Sequence, residues 1–101
     1  MAIEVAKGIA KELGVPEDKF LGLADQIIGF ANHSSTQMKR EAVALAFLYG
    51  VSRYSAFAWQ AGPDGKSGDP EKFVKEATER FEAMLREQID DPNLRNRPKS
   101  P

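Results

Sequence analysis

The chain contains no cysteine and only one histidine, His33, among its 101 residues. The absence of cysteine excludes disulfides, thiolate metal sites and cysteine nucleophiles. One histidine cannot build a multi-histidine metal site, and no constellation that would orient it for catalysis is visible. We interpret His33 as a structural residue at a helix end, where a cation is favoured. The sequence therefore predicts no catalytic residue, no metal and no cofactor, and it favours a protein that is not an enzyme.

A surplus of positive charge is also lacking, since the formal net charge is −1 at pH 7. Without basic residues in excess to neutralise phosphates, we expect no nucleic-acid partner. Charged residues at positions 4, 7, 11 and 12 interrupt the apolar region that a signal peptide would need. Together with the absence of cysteine, this pattern favours a cytoplasmic location.

Long apolar runs are scarce, and the longest weakly charged segment is residues 42–59, AVALAFLYGVSRYSAFAW. It is shorter than the roughly 20 residues of a membrane span and contains Arg53, so we expect no stable membrane insertion. A helix that is apolar on every side must be covered on every side. The segment is therefore predicted to be the central helix of the fold. Because the rest of the chain offers little to cover it, we expect a homodimer.

Apolar periodicity predicts four helices and no strand. The helices are expected at residues 2–13, from 16 or 17 to about 32–35, from 34 or 36 to about 60, and from 70 to about 89. The predicted fold is an all-α bundle of about four helices, in which the second and third form a hairpin and the fourth packs back on it. We expect one helical domain, residues 1–91, with an N-terminal arm (1–15), a core (16–91) and a flexible tail (92–101).

Local signals mark the helix ends. Gly14 is placed to cap the C-terminus of the first helix. Ser34 and Gln37 have the spacing of a capping box at the start of the third. Asp69 is predicted to cap the fourth helix, with Pro70 at its first position.

The segment 62–67, GPDGKS, resembles a phosphate-binding loop only superficially. A Walker loop has four residues between its glycines and follows a strand, whereas this segment has two and follows a predicted helix. We interpret residues 61–69 as a connection between helices.

Arg53 is the charge that most needs explanation, because stranding it in a core costs several kcal/mol, roughly 3–5, unless it is paired. Antiparallel packing of the second and third helices would bring it level with Glu17 and Asp18. Folding the fourth helix back would bring Glu76 or Glu79 near it. A core ion pair or a snorkelling arginine is the structural interpretation, and anion or ligand binding is the functional one.

Asp25 is the carboxylate that lies beside an apolar face, and Tyr49 is predicted to come close enough to hydrogen-bond it. The aromatic side chains of Tyr49, Tyr54, Phe57 and Trp59 form either core or the lining of a pocket. Ala42, Ala46 and Gly50 recur every four residues and form a small-residue stripe. Such a stripe lets another helix approach closely, and it is our candidate for the dimer contact.

Three segments together resemble a family of short bacterial proteins known as domain of unknown function 3144. They are LADQII followed by AN (residues 23–28 and 31–32), AFLYGVSRYSAF (46–57) and FEAMLREQIDD (81–91). The resemblance spans about residues 17–91 and implies an all-α bacterial protein without a known activity. It gives weight to Asp25, Asn32, Arg53 and Tyr54, and it leaves the first helix and the basic, proline-bearing tail outside the pattern.

Three functions remain open from the sequence. The first is a small interaction or regulatory module that acts through its helical surface, with a second copy or another protein as its partner. The second is a ligand-binding protein or enzyme with a site between helices. The residues of that candidate site, which could equally form a polar core, are Asp25, Asn32, Tyr49, Arg53 and Tyr54. The third is a protein that associates with a lipid surface through an exposed apolar helix.

Overall fold

The computed structural model describes residues 3–63, 65 and 67–95 of the chain, and it has helices but no strand within them. Four long helices and one short helix follow each other along the chain. They are α1 (Glu4–Glu12), α2 (Glu17–Ser34), α3 (Arg40–Ala61), α4 (Pro70–Ile89) and α5 (Pro92–Arg95). The predicted all-α bundle is confirmed. The predicted tail begins with α5, and its residues 96–101 lie outside the described part.

Helix α1 ends in the turn that its glycine predicts. Gly14 has a φ of 74°, a left-handed conformation that glycine adopts without the steric cost of a Cβ atom. Its N–H donates to the carbonyl oxygen of Lys11 at 3.0 Å, and the N–H of Val15 donates to that of Ala10 at 3.0 Å. This pair of bonds is the Schellman motif. The predicted C-cap is therefore confirmed.

The predicted start of the third helix is wrong. Ser34 is the last residue of α2, and its hydroxyl donates to the carbonyl oxygen of Phe30 at 2.9 Å. Ser34 is still part of α2 and lies six residues before Arg40, so it cannot be the residue that caps the third helix. Gln37 belongs to the connection, where its N–H donates to the carbonyl oxygen of Ser34 at 3.0 Å. Helix α3 begins later, at Arg40, without a side-chain cap.

The N-terminus of α4 follows its sequence signal. The Asp69 carboxylate accepts a hydrogen bond from the N–H of Glu71 at 3.0 Å, and Pro70 occupies the first helical position. In the connection before it, residues 62, 63, 65 and 67–69 are non-helical as predicted, while Asp64 and Lys66 lie outside the described residues.

Helix α1 packs within its own chain against both α2 and α4. The Lys7 ammonium lies 3.1 Å from the Glu17 carboxylate. The hydrogen bond and charge of Glu17, with a contribution from the charge of Glu4, raise the pKa of Lys7. In the first turn of α1, the N–H of Val5 donates to the carboxylate of Glu87 in α4. These contacts place α1 next to α2 and α4.

Helix α3 packs on α2 near their connection, where the rings of Phe30 and Phe47 lie 6.1 Å apart. It meets α4 where Trp59 stacks on Phe73, with ring centroids 5.3 Å apart. Helix α4 packs mainly against α1, whereas we had expected it to pack back on the α2–α3 hairpin. The consequence is an open space between α3 and α4.

The core of the single chain is thin. Among the described residues, only Ala10 and Val43 are buried. The radius of gyration is 15.1 Å, against about 13 Å for a compact domain of this length. The accessible surface is 8417 Å², against about 5,700 Å² from the usual scaling with mass. One chain by itself therefore leaves an unusually large area in contact with solvent.

Candidate functional site

The open space between α3 and α4, here called the α3–α4 groove, has a volume of about 490 Å³. Its principal walls are Leu48, Val51 and Ala56 of α3 and Phe73, Val74 and Phe81 of α4. The Trp59–Phe73 stack lies at the end near the α3–α4 connection. The groove follows about three turns of each helix.

The chemistry of the groove is almost entirely apolar, because none of the described residues that line it is titratable. Two of its hydroxyl groups are satisfied within their own helices. Ser52 donates to the carbonyl oxygen of Tyr49 at 2.7 Å, and Thr78 donates to that of Val74 at 2.6 Å. The groove can therefore recognise apolar shape, but its lining offers no general acid, general base or activated nucleophile.

Helix α3 also exposes apolar side chains outside the groove. More than half of the surface of each of six large side chains is exposed. They are Leu45, Leu48, Tyr49, Val51, Tyr54 and Phe57. At about 100° per residue these positions point to all sides of the helix. The prediction of a helix that is apolar all round is confirmed, and its own chain covers it only in part.

The candidate polar residues are spread over the surface. Asp25, Tyr49, Arg53 and Tyr54 are exposed, and Asn32 is half-buried. Tyr54 packs its ring on Phe57, with centroids 5.8 Å apart. Within the described part of a single chain the five residues do not form a buried polar cluster, and the predicted Asp25–Tyr49 hydrogen bond is not present. Their interpretation as a ligand site remains a prediction.

The core ion pair, one of the two structural interpretations of Arg53, is absent from the described part of the single chain. Arg53 is exposed and has no ion pair with any residue that the structure describes. The prediction assumed that α2 and α4 pack along the whole of α3. Instead, Val43 near the α2–α3 connection is buried, whereas Tyr54, about three turns further along, is 70% exposed. The carboxylate of Glu17 is paired with Lys7.

The small-residue stripe, Ala42, Ala46 and Gly50, is exposed in the single chain. A Cβ atom added at Gly50 would meet no atom within 4 Å. His33 lies exposed in the last turn of α2, at the helix end where the sequence placed it. The stripe remains a candidate contact for a second copy.

The groove itself was missed by sequence reasoning. The apolar periodicity of α4 marks Val74, Ala77 and Phe81 as one face, and all three line the groove. This signal identifies a face that must be covered, but not the partner that covers it.

Among the described residues, no three His, Asp or Glu side chains are grouped to hold a metal ion. The described helices also include none with the length and apolar character of a membrane span.

These features define a small helical-bundle protein with an incompletely covered apolar helix. The chain matches the family model "Protein of unknown function (DUF3144)" over residues 20–92, and it belongs to that family. The match confirms the resemblance found in the sequence and leaves α1 outside it. No curated protein matches the chain, and no solved structure does.

Proposed function

We propose that this DUF3144 protein is a protein-interaction module that binds through helix α3, and that its partner is a second copy of itself. The observation that carries the proposal is the exposure of large apolar side chains around α3, such as Leu45, Tyr54 and Phe57, at 67, 70 and 61%. Soluble monomers rarely expose a contiguous apolar surface of more than a few hundred Å², roughly 300–600 Å².

The size of the uncovered surface supports a homodimer. The accessible area exceeds the scaling value by about 2,700 Å² per chain, from a total of 8417 Å². Permanent homodimers bury about 2,000–5,000 Å² in total. Two chains that each covered half of this excess would bury about 2,700 Å² in total, which lies in that range.

A small ligand is a weaker candidate. The groove volume of about 490 Å³ falls within the range of ligand pockets, roughly 300–1,000 Å³. A ligand there would still leave Leu45, Tyr49 and Tyr54 exposed, and none of these lines the groove. A lipid-surface role is also weaker, because an interfacial helix has a strongly charged face opposite its apolar one, and α3 has none.

A native mass spectrum of the purified, untagged protein tests the proposal, with sedimentation equilibrium over a range of concentrations as the check in solution. We expect a homodimer. A bare monomer at all concentrations would overturn self-association, and a monomer that carries extra mass would favour the ligand. Co-sedimentation of monomer with anionic liposomes would favour the lipid surface. We place the protein in the cytoplasm, which the absence of cysteine supports.

A further inference from the structure

We propose that helix α3 of a second copy docks in the α3–α4 groove of the first, and that α3 of the first copy docks in the groove of the second in the same way. This inference rests on the proposed self-association and assigns it a surface. The two walls of the groove are long helices of 22 and 20 residues. The groove follows about three turns of each, roughly 16 Å at 5.4 Å per turn, so a helical segment of that length fits the groove better than a rounded molecule does.

Charge identifies α3 as the helix that enters. Residues 42–52 and 54–59 carry no charge, so α3 can be buried without desolvating a row of ionised groups. Helices α2 and α4 both carry acidic and basic side chains along their length. The apolar lining of the groove contains no described residue that would neutralise them.

Symmetry then fixes the direction of the two helices. Each copy has the same groove and the same helix, so one two-fold axis closes the contact. If that axis were perpendicular to α3, reciprocal docking would put α4 of the second copy in the space that α4 of the first copy occupies. A two-fold axis parallel to α3 avoids this overlap. The two α3 helices therefore run parallel, with residues of the same number at the same height.

The remaining side of α3 receives the second α4. Helix α2 covers the side of α3 that carries Val43, and the side that carries Ser52 faces the groove. The side left over is the small-residue stripe, Ala42, Ala46 and Gly50, which is exposed in the single chain. Along the part of α3 that α2 reaches, a helix seated between two partner helices would thus be covered on three sides, which accounts for most of its apolar surface.

Two alanine substitutions on α3 form a matched test. Ala56 and Ala58 are both exposed, but only Ala56 lines the groove. In the full chain, we expect Ala56→Arg to weaken dimerisation at least about tenfold, because the charge enters an apolar contact. We expect Ala58→Arg to change the dissociation constant little. Far-UV circular dichroism verifies that each variant remains helical, and sedimentation equilibrium gives the constants.

The outcomes separate the two proposals. A monomeric wild type would overturn the proposed self-association, and this inference with it. A dimeric wild type whose Ala56→Arg variant dimerises equally well would overturn the groove alone and leave self-association standing. A dimer that Ala58→Arg disrupts and Ala56→Arg does not would place the interface on another face.

The direction of the helices is tested by single cysteines, since the natural chain has none. A disulfide needs Cα atoms about 4.4–6.8 Å apart. Ser52→Cys and Leu45→Cys lie two turns apart on one side of α3. In a parallel dimer we expect both variants to form covalent dimers under mild oxidation, and Ala58→Cys to form few. Cross-linking at only one of the two positions would overturn the parallel arrangement.

Discussion

The N–H of Val5 donates to the carboxylate of Glu87, with distances of 3.1 and 3.4 Å to its two oxygens. Val5 lies in the first turn of α1, where backbone N–H groups lack partners within the helix. The local N-cap residue, Ile3, has no side chain that could accept one. A carboxylate also suits the positive end of the helix dipole. Glu87 of α4 therefore supplies the cap that the sequence around α1 lacks.

We expect Glu87→Ala to lower the free energy of unfolding by about 1–2 kcal/mol, the usual cost of a lost N-cap. Urea unfolding followed by circular dichroism measures the change, and hydrogen exchange should show faster exchange of the Val5 amide. Glu82→Ala is the control, since Glu82 is exposed and its bonding partner among the described residues is Arg86 of its own helix, at 2.9 Å. Its effect should stay below about 0.5 kcal/mol. Equal losses in both variants would contradict the capping role.

We expect the substitution of glycine by alanine to have opposite effects on stability at Gly14 and at Gly8. Gly14→Ala forces a side chain into a left-handed conformation, and we expect a loss of about 1–2 kcal/mol. Gly8 lies inside α1, and an added Cβ meets no atom within 4 Å. Gly8→Ala should therefore stabilise the protein by up to about 1 kcal/mol. Thermal unfolding of the two variants gives the comparison, and shifts of the same sign would contradict it.

Gly50→Leu tests the stripe. Nothing in the single chain opposes a side chain at Gly50, and leucine favours a helix by about 0.8 kcal/mol relative to glycine. We nevertheless expect weaker dimerisation and a lower melting temperature, because the side chain would separate α3 from the second copy. Gly8→Leu, on the exposed side of α1, should leave the dissociation constant unchanged. A Gly50→Leu dimer as tight as the wild type would remove the stripe from the interface.

Arg53→Lys separates a role within the chain from a role between chains. Arg53 is exposed and has no ion pair among the described residues. At concentrations where the monomer dominates, we expect a change in the free energy of unfolding of less than about 0.5 kcal/mol. Urea unfolding of the dilute protein measures it. A loss of about 1–3 kcal/mol at that concentration would point to a buried network within one chain.

The parts of the fold that sequence predicted depend on residues a few positions apart. The cap at Gly14 and the start of α4 at Asp69 and Pro70 each follow from local chemistry. The start of α3 differs from the prediction because α2 continues through Ser34. The capping-box spacing of Ser34 and Gln37 does not show whether the preceding helix has already ended.

The candidate site depended on packing over long distances and was predicted less well. The partners proposed for Arg53 required α2 and α4 to stay against α3 along its length. Instead, α1 packs against α2 and α4, so α4 lies on α1 and meets α3 at the Trp59–Phe73 stack. The spacing of apolar residues within α3 or α4 does not determine the angle between the two helices. The groove was therefore invisible in the sequence, although both of its apolar walls could be recognised.

The bond between Val5 and Glu87 also has a consequence for the newly made chain. Helix α1 has nine residues, fewer than the roughly 12–15 that an isolated helix needs in water. Its cap lies 82 residues further along, so the ribosome must add those residues before α1 can be completed. Helix α1 is thus synthesised before α2 and α3 but receives its cap only after them, and translation and folding proceed in opposite orders for these helices.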